Sequence, residues 1–372
     1  MTQNKKCGIV TYHSSHNYGS VLQAYAMVKI MQGFGLDAEL IDFRHPVTTD
    51  MYEWKLWSKN KMLKYNVRDL VLRGILGMGK RREQVFSDFI ENVLVKSQRV
   101  KDRSEIQDIY DVLVCGSDQI WNPNASGQND PIYYLDFGTT PCKFSYAASS
   151  GSVRFGDSNP ERFRHYLSGL KAIGVREQFM QDYIKEKFGL SSVVNPDPTF
   201  LIKASEWSEI EKPYEGLPDD YVLIYTIQHQ SETIDFANKI AKLLALPTVQ
   251  IWNDRDIRAL IHKAEVDYRL MDVSPQQFLW LFHHASFIVT NTFHGNMFSI
   301  IYRKDFIHYA IDRTDNRIST LHKAIGFNKD RMFYKEDDIN KIKYKTVYDK
   351  NEENIKRYIR EGVDYISSNL EM

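Results

Sequence analysis

Short apolar segments alternate with segments of helical periodicity along the chain, and the first repeat of this pattern lies at its start. Cys7–Thr11 is apolar, a polar loop follows at His13–Gly19, and apolar residues then recur at helical spacing between Val21 and Met31. A second apolar segment, Ala38–Phe43, comes after two glycines that end the helix. The pattern predicts a strand, a helix and a parallel strand, which is the unit that opens a doubly wound sheet.

Further apolar segments of strand length follow in both halves of the chain. In order they are Val112–Cys115, Lys143–Ala147, Ala172–Val175, Tyr221–Ile227, Pro247–Trp252, Phe287–Thr290 and Phe306–Tyr309. Segments of helical spacing separate them, so the alternation predicts an α/β fold of two Rossmann-like, doubly wound domains that face a central cleft. Ligands of such sheets bind beyond the carboxyl ends of the strands, and the loops at those ends are therefore the candidate site.

The length of 372 residues is enough for two domains with separate cores. We expect an N-terminal Rossmann-like domain over 1–165 and a C-terminal Rossmann-like domain over 166–345. The tail, 346–372, carries apolar residues at helical intervals and is predicted to form an amphipathic helix.

A basic segment interrupts the first domain at 52–103, with 13 Lys+Arg against 6 Asp+Glu. Its interleaved apolar residues predict a helical insertion. Two readings stay open for its basic face: it is solvated, or it contacts an anionic membrane surface with Trp54 and Trp57 as interfacial anchors.

Composition narrows the class of protein. The 48 Lys+Arg and 48 Asp+Glu residues balance, which excludes binding to nucleic acid driven by bulk charge. Three cysteines at sparse spacing fit neither a disulfide framework nor a zinc site, and we expect buried, reduced thiols. The first fifteen residues lack the apolar core of a signal peptide, so the expected location is the cytoplasm, with peripheral contact at the inner face of the membrane as the alternative.

The loop after the first strand carries several small polar side chains into the first helix. A helix start of this kind suits an anion or sugar hydroxyls, although a plain N-cap loop explains it too. Its candidate ligand-binding residues are His16, Asn17, Gly19 and Ser20. His13 and His16 do not predict a metal site, because no cysteine or carboxylate lies near them in the sequence.

The loop after Val112–Cys115 places a hydroxyl, a carboxylate and an amide in succession at Ser117, Asp118 and Gln119. Asp118 is a candidate catalytic base that accepts a proton from a sugar hydroxyl. An N-cap role explains the same residue equally well.

A third polar loop follows Phe287–Thr290 and leads into an apolar helix. His294 lies at the predicted helix N-terminus, where the helix dipole favours anionic ligands, and histidine is the residue type that exchanges protons near neutral pH. His283 and His284 lie on a helix instead and are assigned structural roles.

Taken together, these loops resemble the polysaccharide pyruvyltransferase family. The resemblance rests on six stretches that keep the family's order: Gly8–Tyr12, Asn17–Ala24, Gly116–Asn122, Val175–Glu177, Pro196–Thr199 and Phe278–Trp280 with Phe293–Gly295. It spans residues 8 to about 320, and the combination is specific although each stretch alone is not.

The resemblance implies a fold similar to the GT-B glycosyltransferases and transfer of the pyruvyl group of phosphoenolpyruvate onto two hydroxyls of a glycan sugar. His294 would be the general acid, and phosphoenolpyruvate is a co-substrate, with no cofactor or metal required. Arg176 would anchor the donor through its forked guanidinium. The other expected donor-binding residues are Asn291, Thr292, Phe293, Gly295 and Asn296. The expected acceptor-binding residues, all in the N-terminal domain, are His16, Asn17, Gly19, Ser20, Ser117 and Gln119.

One position departs from the family. Many members carry arginine two residues before the histidine, whereas Thr292 stands there in this chain. Arg317 or Arg313 would supply the missing charge.

The preferred interpretation is a pyruvyltransferase that acts on a bacterial surface polysaccharide or its lipid-linked precursor. Two alternatives remain open at this point: a nucleotide-sugar glycosyltransferase on the same architecture, and a glycan-binding relative without activity.

Overall fold

The structure is a computed structural model. It describes residues 4–45, 63, 66–67, 70, 80–125, 130–151, 153–157, 159–227, 230–252, 265–310, 316–327, 331–335, 337 and 339–371. Trp54, Trp57 and Arg313 lie outside the described residues, as do residues 52–62, 64–65, 68–69 and 71–79 of the predicted basic insertion.

The strands of the described residues are short and parallel. They are β1 (Lys6–Val10), β2 (Asp37–Leu40), β3 (Val112–Cys115), β4 (Lys143–Ala148), β5 (Ala172–Val175), β6 (Val193–Val194), β7 (Val222–Tyr225), β8 (Thr248–Ile251), β9 (Tyr268–Leu270), β10 (Phe287–Thr290), β11 (Phe306–Tyr309) and β12 (Met332–Phe333).

Helices connect these strands. They are α1 (Tyr18–Gly33), α2 (Lys80–Asn92), α3 (Pro160–Ser168), α4 (Gln178–Phe188), α5 (Ala204–Ser208), α6 (Gln230–Leu244), α7 (Pro275–His284), α8 (Phe293–Ile301), α9 (Asn316–Ile325) and α10 (Glu352–Leu370). Short 3₁₀ turns lie at Arg103–Glu105, Pro131–Tyr134, Pro198–Leu201, Ile339–Lys341 and Asp349–Asn351. Among the described residues, no helix is long and apolar enough to cross a bilayer.

The chain forms two compact units, each built on one sheet. The first unit comprises Met1–Glu53, Ile90–Ile202 and Asn354–Met372, and the second comprises Trp54–Phe89 and Lys203–Glu353. The predicted α/β fold of two doubly wound domains is confirmed.

The sheet of the first unit has the strand order β2-β1-β3-β4-β5-β6, and all its neighbours pair in parallel. This is the doubly wound order 2-1-3-4-5, extended by one strand, and its direction reverses between β1 and β3. Strand β3 is buried along its whole length, as expected for a central strand covered on both faces. All three cysteines are buried and unpaired, as predicted.

The predicted domain boundary at 165/166 is wrong. Strands β5 and β6 extend the first sheet, with Phe144 paired to Ala172 and Gly174 to Val193, so the first unit continues to Ile202. The sequence pattern marks a strand at 172–175 but does not show which strand it pairs with.

The C-terminal helix α10 also belongs to the first unit. The Tyr365 hydroxyl donates to the Ser145 carbonyl of β4 at 3.0 Å, and Lys171 Nζ donates to the Asn369 carbonyl at 2.9 Å. Gly362 allows a close approach, because a Cβ there would lie 2.6 Å from Pro196 Cγ. The predicted helix is confirmed, and it packs against the sheet built from the N-terminal part of the chain.

The sheet of the second unit has the order β12-β11-β10-β7-β8-β9 and is again parallel throughout. Counted within this unit it is the Rossmann order 3-2-1-4-5-6, read from the opposite edge, and its direction reverses between β7 and β10. Helix α6 packs on one face through Ile234, Phe236 and Ile240. The second core is therefore independent of the first.

Part of the predicted insertion is described as α2. Arg82 is buried there, stacks on Phe86 at 5.1 Å and donates to the Trp252 carbonyl at 3.3 Å. The first part of this helix belongs to the second unit, whereas the prediction placed the whole insertion in the first domain.

Candidate functional site

The loop after β1 is held by a buried ion pair. His13 Nε2 lies 3.0 Å from Asp42 Oδ1 and its Nδ1 lies 3.1 Å from the Thr11 carbonyl, while Arg44 binds both oxygens of Asp42 at 2.7 and 2.9 Å. Burial alone would raise the pKa of Asp42, but its hydrogen bonds to His13 and Arg44 lower it well below its usual range. His13 is therefore committed to a structural contact that the sequence did not reveal.

Helix α1 begins with an N-cap. Asn17 Oδ1 accepts from the Gly19 N–H at 3.0 Å, and Gly19 and Ser20 are buried in the first turn. The capping role considered for this loop is real for Asn17. His16 and Asn17 are half-buried at the rim of the loop.

Ser20 and Asp118 join the loops after β1 and β3. The Ser20 hydroxyl donates to Asp118 Oδ2, and Asp118 Oδ1 accepts from the Gln119 N–H at 2.8 Å. Asp118 has a φ of 64° and no helix follows it, so the alternative of a helix N-cap is wrong. Its carboxylate lies at the point where the strand order of the first sheet reverses, the usual position for ligands in such sheets.

Gln23 holds the same two loops from inside. Its side chain donates to Thr11 Oγ1 at 2.8 Å and to the Ser20 carbonyl at 2.9 Å, and its Oε1 accepts from the Ser117 N–H at 3.2 Å. Gln23 is fully buried on α1. Sequence reasoning missed this role, because an amide in a helix gives no signal of what it bridges.

Ser117 connects the β3 loop to a buried carboxylate. Its hydroxyl lies 3.0 Å from Asp197 Oδ2 and 3.0 Å from the Ala147 carbonyl. The other oxygen of Asp197 accepts from the Thr199 N–H at 3.1 Å and its hydroxyl at 2.8 Å. Every bond of Ser117 that the structure shows is internal, so its expected acceptor contact would require one of these to be exchanged.

Arg176 occupies the centre of this carboxylate cluster. Its Nη1 donates to Asp197 Oδ2 at 3.0 Å and its Nε to Glu177 Oε1 at 3.1 Å, with the side chain 2% exposed. Burial would lower the pKa of the guanidinium, but Glu177, Asp197 and Asp118 together raise it. The structure places Arg176 at the end of β5 in the first unit, which corrects its predicted place in the C-terminal domain.

A narrow recess lies beside the β1 loop. Three aromatic side chains line it, with Tyr12 and Phe43 edge-on to Tyr133 at 5.1 and 6.0 Å. The buried Ser15 hydroxyl also lines it and has no hydrogen-bond partner among the described residues.

In the second unit, the predicted loop follows β10, next to β7. The Thr290 hydroxyl donates to the Tyr225 carbonyl at 2.7 Å, and Asn291 Oδ1 accepts from the Ile227 N–H at 3.3 Å. The loops after β7 and β10 are thus bonded at the point where the strand order reverses. The point of reversal is where ligands usually bind in such sheets, so this edge is the candidate site of the second unit.

Thr292 is the N-cap of α8. Its Oγ1 accepts from the Gly295 N–H at 2.9 Å, and its backbone is extended at φ −117°. The departure from the family at this position therefore has a structural function, because an arginine side chain cannot accept this bond.

His294 is the second residue of α8 and is half-buried. Asn296, one turn beyond the cap, donates to the Thr292 carbonyl at 2.8 Å and to His308 Nδ1 at 2.7 Å, and its Oδ1 lies 3.0 Å from His322 Nε2. The amide nitrogen of Asn296 can only donate, so His308 accepts this bond through Nδ1. The amide oxygen of Asn296 can only accept, so His322 donates to it through Nε2. This buried network fixes the start of the helix that carries His294.

The proposed replacement charge, Arg317, lies in the first turn of α9, half-buried. Helix α9 is tied to α8 through the bond between His322 and Asn296. His308 and His322 were missed in the sequence, because neither follows a recognisable motif and their contact with Asn296 depends on the packing of β11 and α9.

Two doubly wound sheets, each with polar loops at its point of reversal, define a ligand-binding α/β protein with a histidine at a helix N-terminus. The family model described as polysaccharide pyruvyl transferase matches residues 17–313, or 297 of 372 residues. The chain belongs to this family.

No curated protein matches the sequence. Solved structures do match over nearly the whole chain, at low identity. The UDP-GlcNAc 2-epimerase from Methanocaldococcus jannaschii is 11% identical with a TM-score of 0.48, covering 96% of this chain and 92% of its own. The E. coli heptosyltransferase WaaC is 11% identical with a TM-score of 0.40, covering 96% and 99%. We draw nothing about function from these likenesses.

Proposed function

We propose that this protein transfers the pyruvyl group of phosphoenolpyruvate onto two hydroxyls of a glycan sugar, in the synthesis of a bacterial surface polysaccharide. The observation that carries the proposal is His294, at the start of α8 and at the reversal point of the second sheet. Membership in the polysaccharide pyruvyl transferase family supports it.

The donor is an anion at both ends, which suits the loop that holds His294. Helix N-termini direct N–H groups and a partial positive charge at bound anions. We assign Asn291, Thr292, Phe293, Gly295 and Asn296 to this loop, with Thr292 and Asn296 shaping it through their internal bonds. Arg317 would add positive charge from α9.

We assign Arg176 as a second residue that binds phosphoenolpyruvate, because it resembles the arginine that has this role in the family. Glu177 and Asp197 hold its guanidinium plane and keep it charged. An anion that binds Arg176 competes with these carboxylates, so the proposal predicts that binding loosens the cluster around Asp197.

The acceptor residues belong to the first unit. We propose Asp118 as the general base, because its carboxylate accepts a hydrogen bond from the Ser20 hydroxyl and could accept one from a sugar hydroxyl in the same way. We assign acceptor binding to residues of the loops after β1 and β3, namely His16, Asn17, Gly19, Ser20, Ser117 and Gln119.

The reaction combines proton transfers with the formation of two C–O bonds and the loss of phosphate. His294 protonates the methylene carbon of phosphoenolpyruvate, which makes the neighbouring carbon electrophilic. One sugar hydroxyl adds there as its proton passes to Asp118, and phosphate leaves with the electron pair of its C–O bond. The second hydroxyl adds to the same carbon and loses its proton, giving a cyclic ketal and inorganic phosphate.

Calorimetry of donor binding tests the proposal without knowledge of the acceptor. Phosphoenolpyruvate is titrated into the wild type, His294→Asn and Arg176→Lys, with His165→Asn and Arg164→Lys as controls on exposed residues. We expect saturable binding in the wild type and controls and at least tenfold weaker binding in the two site variants. Binding of nucleoside diphosphates with phosphoenolpyruvate silent would overturn the proposal in favour of a glycosyltransferase.

A further inference from the structure

A second cluster of ligand-type side chains lies in the second unit, outside the loops described above. Glu211 follows α5, and His283 and His284 end α7. Each of the three offers one ligand atom, and these atoms lie within 4.8 Å of one another. We propose that Glu211, His283 and His284 form a binding site for a divalent zinc ion.

The spacing of two of the ligand atoms already matches a metal shell. His283 Nδ1 lies 3.1 Å from each oxygen of Glu211. In a tetrahedral zinc site with bonds of about 2.0–2.2 Å, neighbouring ligand atoms are about 3.3 Å apart. Zinc would therefore take the place of the proton between this nitrogen and this carboxylate, with little movement of either.

The third ligand, His284, is oriented by its own contacts. Its ring stacks on Trp280 at 4.3 Å, and its Nδ1 donates to the Trp280 carbonyl at 2.9 Å. A backbone carbonyl on one ring nitrogen is the usual partner of a zinc-binding histidine, because it leaves the lone pair of the other nitrogen for the metal. The ligand atom of His284 lies within 4.8 Å of those of Glu211 and His283, so a small shift of this exposed side chain that keeps its bond to the carbonyl completes the shell.

Outer contacts fix the carboxylate in the same way. Glu211 Oε1 accepts from the Tyr302 hydroxyl at 2.8 Å and from the Ser208 hydroxyl at 3.1 Å, and its side chain is 8% exposed. The His283 ring stacks on Tyr302 at 4.6 Å. Two histidines and a glutamate are a donor set that zinc takes, with water in the fourth position.

The position within the fold separates this site from His294. Helix α7 ends just before β10 begins, and His294 follows the other end of β10, so the two lie at opposite edges of the second sheet. The C-terminal end of a helix carries partial negative charge, which favours a cation there. Zinc would tie α7 to the segment after α5 and stabilise the second unit without entering the transfer reaction.

Zinc binding and stability test the proposal on the full-length protein. After dialysis against a chelator, zinc is titrated into the wild type, Glu211→Gln and His284→Gln, with His165→Gln as the control on an exposed histidine outside the cluster. We expect one zinc ion per chain in the wild type and control, at least tenfold weaker binding in both cluster variants, and a zinc-dependent rise in melting temperature that they lack.

Two results would overturn the proposal. One is no stoichiometric zinc binding by the wild type. The other is unchanged affinity in His284→Gln, whose exposed side chain can be replaced without unfolding the chain, so this variant stays informative even where Glu211→Gln fails to fold. Cobalt gives an independent readout, because visible absorption bands of a tetrahedral site should appear in the wild type and be absent in His284→Gln.

Discussion

Gly295 is the position where a single added methyl group most directly disturbs the loop that holds His294. An alanine Cβ there would lie 2.6 Å from Thr292 Oγ1 and closer still to Thr290 Oγ1. Both hydroxyls are buried and bonded, since Thr292 caps α8 and Thr290 donates to the Tyr225 carbonyl. The methyl group can be accommodated only if the cap is broken or the helix start moves.

Three contributions set the change in the free energy of unfolding of Gly295→Ala. Loss of a threonine N-cap costs about 0.5–2 kcal/mol, and overpacking of a buried site costs about 1–3 kcal/mol. Alanine recovers about 0.8–1 kcal/mol over glycine through its helix propensity. The net effect of Gly295→Ala is a loss of about 2 kcal/mol in the free energy of unfolding of the second unit.

Hydrogen exchange followed by mass spectrometry locates this loss. Peptides covering β10 and α8 should exchange about 30-fold faster in Gly295→Ala, because 1.4 kcal/mol corresponds to a factor of ten. Gly33→Ala is the matched control, since no atom lies within 4 Å of a Cβ at this exposed helical position. Unchanged exchange around α8 in Gly295→Ala would refute the packing argument.

Two further predictions follow from buried contacts. Thr292→Val removes the cap of α8 and should lower the free energy of unfolding by about 1 kcal/mol, whereas Thr292→Ser keeps it; equal urea midpoints for the two variants would contradict the capping role. Asp42→Asn should destabilise the first unit by about 3 kcal/mol near pH 7. The pKa of Asp42 is lowered in the folded state, so its contribution to the free energy of unfolding is complete above about pH 4 and is lost as the pH falls further. The difference in melting temperature between the wild type and Asp42→Asn should therefore shrink below about pH 4. A difference that does not change with pH would exclude the ionised carboxylate as its source.

The sequence predicts the strand ends and the loops that follow them better than the contacts within those loops. Strands and loops follow from local periodicity, so the loops at Ser20, Asp118 and His294 were predicted at the strand ends where the structure has them. Strand pairing is non-local, and for that reason the boundary at 165 was wrong while the strand at Ala172–Val175 was right.

The buried hydrogen-bond partners of the site residues could not be predicted from the sequence. Asp42 reaches His13 from the end of another strand, and His308 and His322 reach Asn296 from β11 and α9. Such contacts join residues that are far apart in the chain and carry no motif. The capping role of Thr292 could not be predicted either. An N-cap is defined by a hydrogen bond from a backbone N–H to the side chain, and the family comparison showed only that arginine is absent at this position.

In the proposed reaction, His294 delivers a proton to the methylene carbon of phosphoenolpyruvate. Mass spectrometry of the products formed from phosphoenolpyruvate and a panel of glycans in D2O tests this step. We expect a ketal whose methyl group carries one deuterium, one phosphate released per ketal, and loss of both products in His294→Asn but not in His165→Asn. A ketal without deuterium, or phosphate release that is unchanged in His294→Asn, would contradict it.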